Sequence, residues 1–531
     1  MSLIRVSPAM FPTTQIGLRQ PGSNNPMMII CSSANKLQNS FGHMIKCSNL
    51  PLKVAACCSQ SVASTTKAVK DVTVSNHNDG VKLYVGLPLN SVSECNAINH
   101  SRAIAAGLRA LKLLGVAGVE LPIFWGVSEK EAMGKYEWSG YLALVEMVRK
   151  SGLKLHVSLC FHGCKEENIA LPKWVSQIGE SEPDIFFADR SGKRYKDCLS
   201  FGVDDLPVFN GKTAIEVYQG FIESFKMVFA PFMSSTITGV TIGMGPDGEL
   251  RYPSHHEQIK NRVDHDHGAG EFQCYDENMM MSLKENAETV GNPLWGLCGP
   301  HDAPSYNQQP IVNTFFNEGG SWETDYGDFF LSWYSAQLVS HADRMLSLAA
   351  ASFRDSTVKV SGKLPLIPSW YRSCSRPAEA TAGFYNTVNR NGYEEIAKIF
   401  CKNSCRMVLP GMDMLDEQQP NESFSSPELL LADIQDACRK HGVVVCGQNL
   451  NVASTAKSFD QIKKNLVSEN GIELFLYQRM GGDFFSPGNF PLFTAFVRSL
   501  NQLPIDSDDL GVNDREGVLL VPSKTRKLQT V

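Results

Sequence analysis

Eight short β-branched or apolar runs alternate with amphipathic stretches along this chain, and that alternation constrains its fold more than any other feature. The runs are VKLYVGLPL (81–89), GVELPIFWGV (118–127), LKLHVSLCFH (153–162), ITGVTIGMG (237–245), VKVSGKLPLI (358–367), RMVLPGMDM (406–414), VVVCGQNL (443–450) and IELFLYQR (472–479). A helical period lies between them. In 100–115, Ile104, Leu108 and Leu111 share one face at i, i+4 and i+7. Segments 136–151, 213–232, 328–353, 392–404, 427–441, 458–468 and 490–502 read the same way. Eight β-then-α repeats predict a closed parallel (β/α)8 barrel. A doubly wound open sheet is the alternative, but no GxGxxG follows the first run. Segments 163–212 and 246–327 are then long loops after the third and fourth strands, at the C-terminal face. The barrel is expected over 80–504, with no second domain and with 505–531 as a loose tail.

The first seventy residues differ from the rest. Met1–Lys70 contain no acid, seven Lys/Arg and ten serines; the first acid is Asp71. Basic, serine-rich and acid-free is the composition of an organelle transit peptide. The serine content and the few arginines favour chloroplast over mitochondrion; a disordered basic tail is the plainer alternative. Over the whole chain the net charge is −6, which gives no electrostatic case for nucleic acid or an anionic membrane. No apolar run reaches the ~18–20 residues that span a bilayer. The fifteen cysteines are scattered without a CxxC pair, and Cys401 and Cys405 lie four apart. They read as reduced thiols rather than a disulfide framework.

In such barrels chemistry sits where strands end and βα loops begin. That rule selects Pro122, His162, Glu249, Lys363, Asp413, Gln448 and Arg479. Glu249 stands in GMGPDGELRYPS (243–254), a turn whose glycines let backbone approach a ligand closely. Its carboxyl could act as a general acid, or simply pair with Arg251. His162 could hydrogen-bond a polar ligand or be a capped structural histidine. Lys363 and Arg479 could hold hydroxyls or balance Glu249, or be ordinary solvated cations. His255, His256, His265 and His267 cluster in one segment, but no regular spacing converges three of them. They read as an exposed hydrophilic insertion, and neither metal nor cofactor is expected. Trp125, Trp174, Trp295, Trp322, Trp333, Trp370 and Tyr371 recur near strand ends. Sugars stack on such rings, yet most are expected to be packing residues.

Five stretches together are more specific. GPDGELRYPS, GEFQCYDENM (270–279), DFFLSWYSAQLVSHADRML (328–346), AEATAGFYN (378–386) and DIFFADRSGKR (184–194) resemble the β-amylases, glycoside hydrolase family 14. The likeness runs over roughly residues 80–500. It implies the same barrel and, in active members, inverting removal of maltose from the non-reducing end of α-1,4-glucans. Inversion needs an acid and a base, roughly 6.5–9.5 Å apart on opposite faces of the sugar. The resemblance maps the acid onto Glu249. It maps the base, a glutamate in a GENA-type segment, onto Gln448. An amide carries no charge and cannot take a proton from water near neutral pH. Loss of a general base alone costs ~10²–10⁴-fold.

Other departures accompany it. The family's glycine-rich lid HxCGGNVGD is matched only at His162 and Cys164, and is shorter here. A sugar-binding aspartate becomes Pro122 and a histidine becomes Pro368. In the inner loop a threonine becomes Pro410 and a glutamate becomes Asp413; Leu450 replaces an alanine. Glu249, His162, Lys363, Asn449 and Arg479 match, so a relict hydroxyl-binding pocket is implied. The resemblance thus implies a catalytically inactive protein of the chloroplast stroma that regulates starch degradation, with weak or no α-glucan binding. Candidate partners are active β-amylases or other starch-degrading enzymes. Two rivals are a weak β-amylase using Asp413 or Asp416 to activate water, and a maltooligosaccharide sensor.

Overall fold

Each predicted run condenses into a strand of four to seven residues. The computed structural model describes residues 80–255, 268–450, 455–467 and 471–501. The basic segment 1–70, the tail 505–531 and His256, His265 and His267 lie outside the described residues. The strands are β1 (Lys82–Gly86), β2 (Gly118–Phe124), β3 (Lys154–Cys160), β4 (Phe186–Ala188), β5 (Arg194–Leu199), β6 (Ile237–Ile242), β7 (Lys359–Lys363), β8 (Arg406–Leu409), β9 (Val445–Gln448) and β10 (Leu474–Tyr477). Eight of them close a barrel in the order β1-β2-β3-β6-β7-β8-β9-β10, every neighbouring pair parallel.

Helices follow the barrel strands as the periodicity requires. Ser101–Leu114 buries Ile104, Leu108 and Leu111 and stops at Gly115, whose φ of 89° lets its N–H cap Leu111 and Lys112. Ala214–Phe229 begins with a capping box, Thr213 and Glu216 each bonding the other's backbone N–H. On β2 the period-2 alternation sorts the side chains. Val119, Leu121 and Ile123 are fully buried in the main core, whereas Glu120, Pro122 and Phe124 line the cleft. A polar layer lies inside the barrel: His156 Nε2 meets Thr241 Oγ1 at 2.7 Å, and Tyr84 bonds Thr238 at 3.0 Å. Burial pushes the His156 pKa down to about 4.

The two long excursions are more structured than the loops expected from sequence. The one after β3 holds the helix Lys173–Ser181 and the antiparallel hairpin β4–β5. The hairpin turn is built on Asp189, whose Oδ1 accepts from the N–H groups of Ser191 and Lys193, both at 2.9 Å. The excursion after β6 carries the helix Glu277–Thr289, capped by Asp276. Trp125, Trp174, Trp322, Trp333, Trp370 and Tyr371 are buried, and Trp295 packs on Phe329 at 5.2 Å. The aromatics singled out from sequence are therefore packing residues. All eleven described cysteines are free thiols, six of them buried. Among the described residues no helix is long and apolar enough to cross a membrane.

Candidate active-site cleft

The turn that leaves β6 positions Glu249. Asp247 and Gly248 both take left-handed backbone, φ 55° and 77°. At Gly248 the left-handed backbone is what favours glycine; a Cβ there would sit in ordinary contact, 3.4 Å from His162 Nε2. The chain then docks on the end of β7, Leu250 N–H donating to Lys363 O at 2.9 Å. This brings Lys363 Nζ to 3.1 Å from Glu249 Oε1, while Arg251 Nε donates to Oε2 at 3.0 Å. Arg251 also holds Asp247 at 2.6 Å. Both oxygens of the carboxylate therefore already accept from cations. Protonating a leaving oxygen from either would require breaking one of these pairs.

A cavity of about 80 Å³ opens at the C-terminal mouth of the barrel. Its walls include Glu120, Pro122, His162, Lys363, Gln448 and Arg479, brought together from β2, β3, β7, β9 and β10 or the residues just after them. Glu249 and Asn449 are not on the walls. Glu249 reaches the cleft through Lys363. Asn449 holds backbone instead, donating from Nδ2 to Gln478 O at 3.0 Å and accepting from Gln478 N–H at 2.6 Å. Pro122 lines the cleft and offers no polar atom from its ring.

Each polar wall residue has a defined state. His162 Nδ1 lies 2.8 Å from the Gly163 carbonyl, so Nδ1 carries the proton and Nε2 presents a lone pair. Burial, the largest influence, holds its pKa below the ordinary histidine value. Gln448 is 4% exposed, and its side-chain oxygen has no hydrogen-bond partner among the described residues. Arg479 donates to Leu87 O at 2.6 Å and to the Gln478 side-chain oxygen, and lies 3.6 Å from Glu120 Oε2. Glu120 in turn accepts from Ser158 Oγ at 2.7 Å and Gln478 Nε2 at 3.3 Å. The acids on the cleft walls, Glu120 and Asp247, are thus each paired with an arginine.

Asp413 and Asp416 stand apart from this cleft. Asp413 is buried and accepts from Leu450 N–H at 2.7 Å. Asp416 accepts from Ser426 Oγ at 2.6 Å, Glu428 N–H at 3.0 Å and Arg372 at 2.9 Å. Neither lines the cavity. Glu120 escaped the strand-end rule because it lies in the middle of β2; the signal was a lone acid inside the apolar run GVELPIF. Among the described residues no three His, Cys, Asp or Glu side chains converge to hold a metal.

Fold and cleft define a (β/α)8-barrel protein with carboxylates and cations gathered at the C-terminal ends of the strands. The chain belongs to glycosyl hydrolase family 14, which matches residues 84–502. It is 56% identical over 489 residues to "Inactive beta-amylase 9" of Arabidopsis thaliana, covering 92% of this chain and 89% of the relative. It is 39% identical over 459 residues to "Beta-amylase 1, chloroplastic" of Oryza sativa subsp. japonica, covering 84% and 85%. The catalytic domain of β-amylase from Paenibacillus polymyxa superposes with a TM-score of 0.66 at 23% identity, over 80% of this chain and 99% of that one. At that identity the superposition speaks for the fold alone.

Proposed function

We propose that this is a catalytically inactive β-amylase-like protein that regulates starch degradation in the plastid. One observation carries the reading: the group at the position of the family's general base, Gln448, is an uncharged amide on the cleft wall. An inverting hydrolase must deprotonate water on the face opposite the acid, and Gln448 has no basic lone pair for that task. The other wall acids are held by arginines, and Asp413 and Asp416 are committed to backbone and side-chain partners outside the cleft. The name of the Arabidopsis relative supports the reading. The plastid assignment rests on the acid-free, serine-rich first seventy residues and on the rice relative's name; the Arabidopsis relative's name carries no such label.

The regulatory part follows from a family barrel that keeps its core while losing its base. Its partner is an active β-amylase or another starch-degrading enzyme of the stroma. The test adds the purified chain to each such enzyme and follows maltose and dextrin release from starch granules. A saturable, stoichiometric change in rate with one of them supports the role. Unchanged rates with all of them remove it.

A further inference from the structure

We propose that the protein carries a sugar-binding site outside the cleft: a platform made by Phe424 and backed by Trp370, taking the C–H face of a hexopyranose chain. The platform joins the loops after β7 and β8, on the same C-terminal rim as the cleft. Three backbone hydrogen bonds zip these loops together. Trp370 N–H donates to Ser423 O at 2.8 Å, Arg372 N–H to Phe424 O at 3.0 Å, and Ser426 N–H to Pro368 O at 3.3 Å.

Both aromatic residues hold left-handed backbone, φ 62° at Trp370 and 45° at Phe424. That region is unfavourable for any residue with a Cβ, and bulky side chains are rare in it. A strained backbone is thus maintained at two adjoining positions, and its result is a particular ring arrangement. The rings stack with centroids 5.4 Å apart and planes 14° from parallel. Trp370 is 2% exposed, whereas Phe424 is 47% exposed. Phe424 therefore stacks offset against the indole and leaves much of its surface to solvent. Asn421, Glu422 and Arg372 beside it are exposed and offer amide, carboxylate and guanidinium groups.

This is a chemistry that fits a pyranose ring. The ring's C–H groups form a flat, weakly positive face suited to the negative face of an arene. Its equatorial hydroxyls project sideways, toward polar groups at the rim of the platform. Family membership makes an α-1,4-glucan the first probe, and the proposal does not depend on the cleft being inactive. A phenylalanine that served only to cover Trp370 could be replaced by leucine without loss of any binding.

The test is calorimetric titration of the full chain with maltoheptaose and, separately, cellohexaose. We expect saturable binding with a Kd of order 1 mM, weakened about tenfold or more by Phe424→Leu. Phe424→Tyr, which keeps the flat face, is expected to retain it. Gln448→Leu, which alters the cleft and leaves the rim loops alone, is expected to leave it unchanged. Binding of maltoheptaose alone assigns the platform to α-1,4-glucan, and equal binding of cellohexaose assigns it to pyranose faces generally. No saturable binding of either sugar up to about 10 mM, unchanged binding in Phe424→Leu, or loss in Gln448→Leu would each overturn the proposal.

Discussion

Lys363 Nζ lies 3.1 Å from Glu249 Oε1, and this pair ties the acid-bearing turn after β6 to the end of β7. Both side chains are largely shielded from water, at 22% and 13% exposure. The pair is therefore more than a surface contact, although Arg251 shares the carboxylate. Lys363→Met should destabilise the chain by about 1–3 kcal/mol, below the range for fully buried pairs because solvent still reaches the ammonium. Adding Glu249→Gln to that variant should cost less than it does alone, since the lost partner is already missing. A denaturant-melt double-mutant cycle measures the coupling, expected at about 0.5–2 kcal/mol. Strict additivity would show that the pair does not couple in solution.

Restoring the base alone should not restore hydrolysis. In Gln448→Glu the new carboxylate faces a cleft whose walls hold Pro122 and His162 beside the ion-paired Glu120, Asp247, Lys363 and Arg479. Pro122 offers no polar side-chain atom to hold a sugar there, so a substrate would not be positioned for in-line attack. Maltose release from soluble starch by this variant should stay at the level of a Glu249→Gln control. Family-like turnover from the single change would show that the base was the only defect.

A buried carboxyl distant from the cleft should set part of the pH dependence of stability. Glu379 is fully buried; it accepts from Tyr393 Oη at 2.6 Å and Asn386 Nδ2 at 3.1 Å, both on one oxygen. Burial, the dominant influence, raises its pKa from 4.5 to about 7. Between those values the unfolded chain releases this proton and the folded chain keeps it. Stability therefore falls as pH rises through that window. Asp276, raised by burial from 3.8 to about 7, acts in the same direction, and His156, lowered from 6.5 to about 4, acts in the opposite one. Comparing wild type with Glu379→Gln cancels both. The variant should gain on wild type by of order 1–3 kcal/mol between pH 5 and pH 8, read from melts at both. A constant difference would mean that Glu379 ionises normally in the fold.

The fold was legible because the barrel strands are short apolar runs, from KLYVG to LFLY, separated by amphipathic stretches, and all eight lie within the predicted segments. The hairpin β4–β5 was not, because RYKDCL mixes charge with apolar residues and β4 spans three positions. The helix Glu277–Thr289 was hidden by its weakly apolar sequence, ENMMMSLKENAET. At the site, position along a strand was legible and side-chain direction was not. The strand-end rule placed His162, Lys363, Gln448 and Arg479 on the cleft wall. The pairing of Glu249 with Arg251 and Lys363 was among the readings left open by the sequence, but the turn of Asn449 to the Gln478 backbone and the capping of Leu450 by Asp413 were not. Those two directions depend on partners from neighbouring strands, which no local pattern encodes. The interior acid Glu120 depends likewise on Ser158 and Arg479.

The most direct measurement is maltose release from soluble starch by the purified, unmodified chain, run beside Glu249→Gln as the blank. The account predicts the same background rate from both, because neither presents a group that can take a proton from water opposite the acid. Sustained release by the unmodified chain that disappears in Glu249→Gln would contradict it.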